Sequence, residues 1–222
     1  MLGGGCMSNR LSTGALTSFT KEPAFRHLPP FDMRGKRVLD VGCGNGKDLM
    51  HPVYAEAEAR WGIDPDERGL KEGRSAFPGV KLMHGTAEDL PFEDAHFDVV
   101  TARVSLPYTN IPVALSQIAR VMKPDGYLCL SLHDWRRHWL AVKGVRSARR
   151  AADMLYVTFA SWCYVVTDWI PPRPWSITTR ETYQIVAKIR HALAKLDFRD
   201  ITVEKTPEAA RCFVTARRAH TK

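Results

Sequence analysis

Apolar residues recur in two rhythms along this chain. Short runs rich in Val, Ile and Leu alternate with longer stretches in which apolar positions return every three or four residues. The short runs at 37–41, 60–64, 80–84, 97–102 and 127–132 predict strands, and helix-length segments lie between them. Strands spaced in this way build a parallel sheet with right-handed crossovers. Residues 111–122 predict a short helix stopped by Lys123-Pro124-Asp125-Gly126, and 177–197 predict another, opened by Thr178-Thr179-x-Glu181. Residues 200–205 and 212–217 then alternate apolar and polar as two strands joined by a turn at Pro207. Pro52 falls where the helix after the first strand should run, so that helix is expected to start late or to kink. Residues 11–34 read as a lead-in helix or lid stopped by Pro29-Pro30, which divides the chain into an arm over 1–34 and a domain over 35–222.

One stretch, 134–176, stands outside this alternation. It holds Trp135, Trp139, Tyr156, Phe159, Trp162, Tyr164, Trp169 and Trp175. Residues 154–170 are apolar nearly all round, and Leu155, Phe159, Trp162 and Val166 fall at helical spacing. As a helix they rise about 26 Å, short of a hydrocarbon core of about 30 Å, and Asp168 lies among them. The leading expectation is a cover helix that lines an apolar pocket. A helix lying on a membrane surface, with its Trp and upstream Arg residues at the interface, is the second.

The chemistry gathers at strand ends. Residues 37–46, Arg-Val-Leu-Asp-Val-Gly-Cys-Gly-Asn-Gly, read as a buried strand that breaks into a tight turn. Gly42, Gly44 and Gly46 let the backbone turn sharply and let a ligand lie directly on it. A dinucleotide fingerprint, Gly-x-Gly-x-x-Gly, would need glycine where Lys47 stands. Asp40 would repel a phosphate but suits a ligand with a cationic amine. A second strand ends in Ile63-Asp64-Pro65, and an acid at that tip can accept hydrogen bonds from both hydroxyls of a ribose. Alone, the three glycines describe an ordinary strand-to-helix turn, and Asp64 before Pro65 describes a helix cap.

Taken in order, these segments resemble the class I S-adenosylmethionine-dependent methyltransferases, in particular their small-molecule type 11 group. The matching segments are Val38-Leu39-Asp40-x-Gly42-x-Gly44-x-Gly46, then Asp64, then His84-Gly85-Thr86-Ala87-Glu88-Asp89-Leu90-Pro91-Phe92 with Phe97-Asp98-Val99-Val100, then Lys123-Pro124-Asp125-Gly126 before the fifth strand. The resemblance is close over 36–133 and looser over the last forty residues. It implies an α/β fold: a doubly wound, seven-stranded, mostly parallel Rossmann-like sheet with an antiparallel last strand, and 134–176 as a helical insertion over the substrate. It implies S-adenosylmethionine as cofactor, held by Asp40, Gly42, Cys43, Gly44, Gly46, Asp64, Pro65, Thr86, Ala87, Glu88 and Ala102. Thr86 stands where the family commonly has Asp, and its hydroxyl is a weaker acceptor for an adenine amino group.

The methyl group is then expected near the end of the fourth strand, facing Ala102, Arg103 and Ser105-Leu106-Pro107-Tyr108. Arg103 suits an anionic substrate group or the methionine carboxylate. His133 and Asp134, at the tip of the fifth strand, are the candidate bases, His having the suitable pKa range. Asp98, at the start of its apolar run, reads as structural. No Asn/Asp-Pro-Pro-Tyr motif follows the fourth strand, so amino-group methylation of DNA or of protein glutamine through that motif is not expected.

Composition adds limits. At 222 residues the chain makes one domain, and its 45% apolar and 25% charged residues are those of a globular protein. Its five cysteines, Cys6, Cys43, Cys129, Cys163 and Cys212, form no Cys-x-x-Cys pair. That argues for reduced thiols and a cytoplasmic protein, against a disulfide framework or a zinc site. The first ten residues do not read as a signal peptide. The net charge is +8, and Arg136, Arg137, Lys143, Arg146, Arg149 and Arg150 follow one another with no acid between. That run suits RNA or an anionic membrane as well as a merely solvated face. It lacks the aromatic-glycine pattern of an RNA-recognition strand. Three functions remain in order: methyl transfer to a small apolar or aromatic acceptor, methyl transfer to RNA, and binding of S-adenosylmethionine without catalysis. A dinucleotide oxidoreductase, opposed by Lys47 and Asp40, comes last.

Overall fold

A computed structural model describes residues 32–133, 146–172, 174, 182, 185–206 and 211–220. Seven strands make one sheet: β1 (Arg37–Val41), β2 (Ala59–Asp64), β3 (Lys81–His84), β4 (Phe97–Arg103), β5 (Met122–His133), β6 (Phe198–Thr206) and β7 (Arg211–Arg218). Their order across the sheet is β3-β2-β1-β4-β5-β7-β6. Strands β1 to β5 are parallel, and β7 runs antiparallel to both β5 and β6. The helices are α1 (Glu67–Ala76), α2 (Ile111–Val121), α3 (Ala148–Thr167) and α4 (Val186–Lys195). This is the doubly wound sheet with an antiparallel end that the sequence predicts. The strand order reverses between β1 and β4, and in such sheets the crevice outside the strand ends at that point takes the ligand.

Strand parity sorts the core into two layers. Leu39 and Val41 of β1 join Val100 and Ala102 of β4 in the cluster beneath α2 and α4, with Leu115, Ile118, Ile189 and Leu193. Val38 and Val99 face the other way, against Leu49, Tyr54, Leu70 and Leu82. Each fully buried Leu or Ile contributes roughly 1.5–3 kcal/mol. The parity that buries Val38 also turns Asp40 and Thr101, which pair in register, toward this second layer.

Three elements differ from expectation. No α-helix follows β1; two 3₁₀ turns, Lys47–Met50 and Pro52–Tyr54, stand there instead. Pro52 forces His51 into an extended conformation (φ −60°, ψ 139°), which breaks the run. The turn at 123–126 lies inside β5, as a bulge. The register with β4 jumps from Phe97↔Met122 to Val99↔Tyr127, and Asp125 takes a φ of 61°. The last helix, expected from 177, begins only at Val186: Ile185 is extended (φ −90°, ψ 123°), and the Thr182 N–H donates to the Pro107 carbonyl at 2.7 Å. The lead-in helix expected before residue 32 lies outside the described residues.

Asp98 ties the amino end of the sheet together. Its carboxylate accepts hydrogen bonds from the Arg37 N–H and the Lys123 ammonium, both at 2.9 Å, with Lys36 at 3.8 Å. Burial pushes this carboxyl up, but those donors outweigh burial and hold it below the ordinary carboxylate range. Its contribution is therefore full above the unfolded pKa and is lost as pH falls through the folded one. Asp98→Asn is expected to cost about 1–3 kcal/mol near neutral pH and little in acid. Denaturant unfolding across that range checks this; an equal loss at both ends would rule out the ion pair as the cause.

Candidate active site

The glycine loop leaves β1 at the switch point. Gly42 has φ 76° and Gly44 φ 57°, conformations that a side chain rarely allows. A Cβ on Gly42 would stand 2.2 Å from the Cβ of Ser105, which is itself fastened by its hydroxyl donating to the Val41 carbonyl at 2.6 Å. A Cβ on Gly44 would meet nothing within 4 Å, so the crest of the loop opens onto free space.

Asp64 ends β2 and fixes this loop. One carboxylate oxygen accepts the Gly44 N–H at 2.7 Å, and the other accepts the Asp66 N–H at 2.8 Å. A carboxylate has about four acceptor positions, so each oxygen keeps one for a hydroxyl of a ligand. Glu88, in the loop after β3, accepts the N–H of Asn110 at 2.7 Å and so joins that loop to the start of α2.

These elements enclose a cavity of about 370 Å³ lined by Gly42, Asp64, Pro65, Thr86, Ala87, Glu88 and Arg103, together with Val104, Ser105, Tyr108 and Thr109. A second cavity of about 240 Å³ adjoins it through Glu88, Tyr108 and Thr109 and continues to Tyr156, Ile170 and Pro171 beside α3. The remaining candidates do not line the first cavity. Ala102 is fully buried in the layer under α2. Cys43 is buried, and burial pushes its thiol far up, which keeps it neutral. Gly46 packs behind the loop against Leu82, while Gly44 forms its open crest. Asp134 lies outside the described residues, as do Trp135, Trp139 and Trp175.

Asp40 is 3% exposed and sits beneath the loop, accepting the Thr101 hydroxyl at 2.7 Å. Burial raises its pKa, and Arg103 and that hydroxyl pull it back. Arg103 follows Asp40 and Thr101 on the same face and forms an ion pair with Asp48 of the first 3₁₀ turn. Burial lowers its pKa while Asp40 raises it, and the guanidinium remains a cation on the cavity wall. In register beside Arg103 stands Ser131, and two residues further His133, both buried. The Ser131 hydroxyl finds no hydrogen-bond partner among the described residues.

Sequence reasoning missed Val104. It holds a φ of 58°, a genuine outlier for a β-branched residue, and its N–H donates to the Ser131 carbonyl at 2.8 Å. No local signal in the sequence marks it. Such strain gathers at ligand sites.

The donor set fits an adenosyl ligand: a bare backbone crest, a carboxylate with spare acceptors at the tip of β2, and a half-apolar loop after β3. The fold is the one that Rossmann-like methyltransferases share. Residues 39–130 match the family model described as a methyltransferase domain. The chain is 36% identical over 115 residues to the probable phthiotriol/phenolphthiotriol dimycocerosates methyltransferase 2 of Mycobacterium ulcerans, a match covering 47% of this chain and 45% of that protein. It is 37% identical over 100 residues to a fatty-acid O-methyltransferase of Mycolicibacterium smegmatis, covering 43% and 36%. The matched segment thus spans less than half the length of these relatives. In fold it is similar to an S-adenosylmethionine-dependent methyltransferase from Mesorhizobium loti, with TM-score 0.63 and 19% identity over 92% of this chain and all of that one.

Proposed function

We propose that this protein transfers a methyl group from S-adenosylmethionine to a small, lipid-like acceptor. The observation that carries this reading is the Asp64 carboxylate, fixed by two backbone N–H groups between the bare glycine crest and the loop after β3. S-adenosylmethionine, when bound, supplies a methyl carbon on a sulfonium, which is already a good leaving group. The chain's own task is then to bind, orient and exclude water. Asp64 would accept the ribose hydroxyls, Gly42 and Gly44 would admit the ligand onto the backbone, and Thr86, Ala87 and Glu88 would border the adenine.

Arg103 is the one Lys or Arg among the described lining residues, and it would meet a carboxylate there, of donor or acceptor. An acceptor ionised at neutral pH, such as a carboxylate, needs no general base. That suits a site whose candidate base, His133, is 3% exposed and stands off the cavity wall. The relatives' names support a lipid-like acceptor: phthiotriol/phenolphthiotriol dimycocerosates in one case and a fatty acid in the other. An RNA acceptor is less well supported, because the outer face of α3, downstream of the basic run, is apolar.

Calorimetric titration with S-adenosylhomocysteine and, separately, NADH tests the donor. Binding of the first alone is expected, with a dissociation constant of roughly micromolar order. Transfer of labelled methyl from S-adenosylmethionine into a solvent-extractable fatty acid tests the acceptor. Binding of NADH, or of neither ligand, would sink the reading.

A further inference from the structure

Helix α3 presents a continuous apolar stripe on the described surface. Its inner face, Val157, Ala160, Cys163 and Tyr164, is buried. Its outer face carries Leu155, Phe159, Trp162 and Val166, exposed by 73%, 54%, 61% and 60%. Trp169, just beyond the helix end, continues the row at 55%. The stripe therefore faces away from the body of the protein, not toward an apolar pocket as a cover helix would. Contiguous exposed apolar surface of this kind marks an interaction site.

The charge around it identifies the partner. Arg146, Arg149 and Arg150 are exposed at the amino end of α3, and its first turn holds no acid. Cations at a helix amino end oppose the macrodipole, so this placement costs the helix locally. An external anion offsets that cost. At the other end, Asp168 is already paired with Lys188 at 2.7 Å. A second copy of the chain would bring the same net charge of +8, and of the two acids described on α3 and its cap, Asp153 is buried and Asp168 is already paired. Lipid phosphates meet the arginines while the acyl boundary takes the aromatic row, the combination that seats interfacial helices. No helix among the described residues is long and apolar enough to cross a membrane, so α3 would lie on the surface.

We propose that α3 is the docking face by which this protein lies on an anionic lipid surface. The proposal deepens the methyl-transfer reading and draws its metabolic sense from it. Tyr156 of α3, with Ile170 and Pro171 after it, lines the second cavity, which shares Glu88, Tyr108 and Thr109 with the donor cleft. A lipid-like acceptor leaving the bilayer at this helix would therefore enter beside the site without crossing bulk water.

Co-sedimentation of the full chain with phosphatidylcholine vesicles, with and without phosphatidylglycerol, tests the docking. The wild type is expected to bind the anionic vesicles at least about tenfold more tightly than the neutral ones, and less so at high salt. Phe159→Ser with Trp162→Ser should weaken that binding by about tenfold or more, with circular dichroism showing the fold retained. Arg149→Gln with Arg150→Gln provides an independent variant and should abolish most of the preference for anionic vesicles. A wild type that stays in the supernatant overturns the proposal. So does an aromatic variant that sediments like the wild type, or a lipid-free dimer that depends on Phe159 and Trp162 and ignores vesicles. Titration of the same preparation with S-adenosylhomocysteine separates the two readings. Intact nucleoside binding without vesicle association overturns docking alone, and vesicle association without nucleoside binding overturns methyl transfer alone.

Discussion

Gly42→Ala is expected to lower the affinity for S-adenosylhomocysteine by about a hundredfold and to destabilise the fold by about 3 kcal/mol or more. Two costs combine. A φ of 76° is strained for any residue with a side chain, by roughly 1–2 kcal/mol. The new methyl would also stand 2.2 Å from the Cβ of Ser105, and Ser105 cannot retreat without giving up its hydrogen bond to Val41. The clash must then be relieved by moving the loop, and the loop is what admits the ligand. Gly44→Ala is the control. Its Cβ meets nothing within 4 Å, so only the backbone strain of φ 57° remains, about 1 kcal/mol. Its binding loss should equal that of Gly42→Ala or exceed it, because that methyl projects into open space over the crest. Adding Ser105→Gly to Gly42→Ala should recover part of the stability, since a double-mutant cycle isolates the contact. A Gly42→Ala protein as stable as the wild type would show that the loop relaxes freely and is no rigid cradle.

The sheet was readable because its information is local. Runs such as Arg37–Val41 and Phe97–Arg103 announce buried strands, and the glycines and Asp64 mark where the strands end. The break after β1 was half readable: Pro52 announces it, but only the extended His51 shows that no α-helix forms. Asp40 was read as a carboxylate for a cationic ligand. Its burial against Thr101 depends on a strand sixty residues away and on parity that the motif does not reveal. The pairing of Arg103 with Asp48 is hidden for the same reason. In α3 the spacing of Leu155, Phe159, Trp162 and Val166 marks an apolar face without fixing its direction. Periodicity says that one side is apolar. It cannot say whether Val157, Ala160 and Tyr164, which interleave with that stripe, are the ones the core takes.

Asp64→Ala is the second large effect, and the structure sharpens what it should do. The carboxylate is an acceptor for a ligand and also the clamp between β2 and the glycine crest, through Gly44 and Asp66. Removing it leaves two backbone N–H groups without their charged acceptor, each such bond being worth about 1–3 kcal/mol. The protein should stay folded, with stability lower by about 2 kcal/mol and affinity for S-adenosylhomocysteine lower by well over tenfold. Asp64→Asn distinguishes the two roles. An amide keeps one acceptor oxygen but turns an NH₂ group toward the N–H that the other oxygen accepted, so one clamp bond survives and one becomes a donor–donor contact. Stability should then fall between wild type and Asp64→Ala, while binding should fall nearly as far as in Asp64→Ala, because two hydroxyls can no longer both find an acceptor. Adenosine titrated alongside 2′-deoxyadenosine locates the loss. The wild type should prefer the ribose form, and Asp64→Ala should bind both equally weakly. If the folded Asp64→Ala variant still prefers adenosine, the ribose contact lies elsewhere in the cleft.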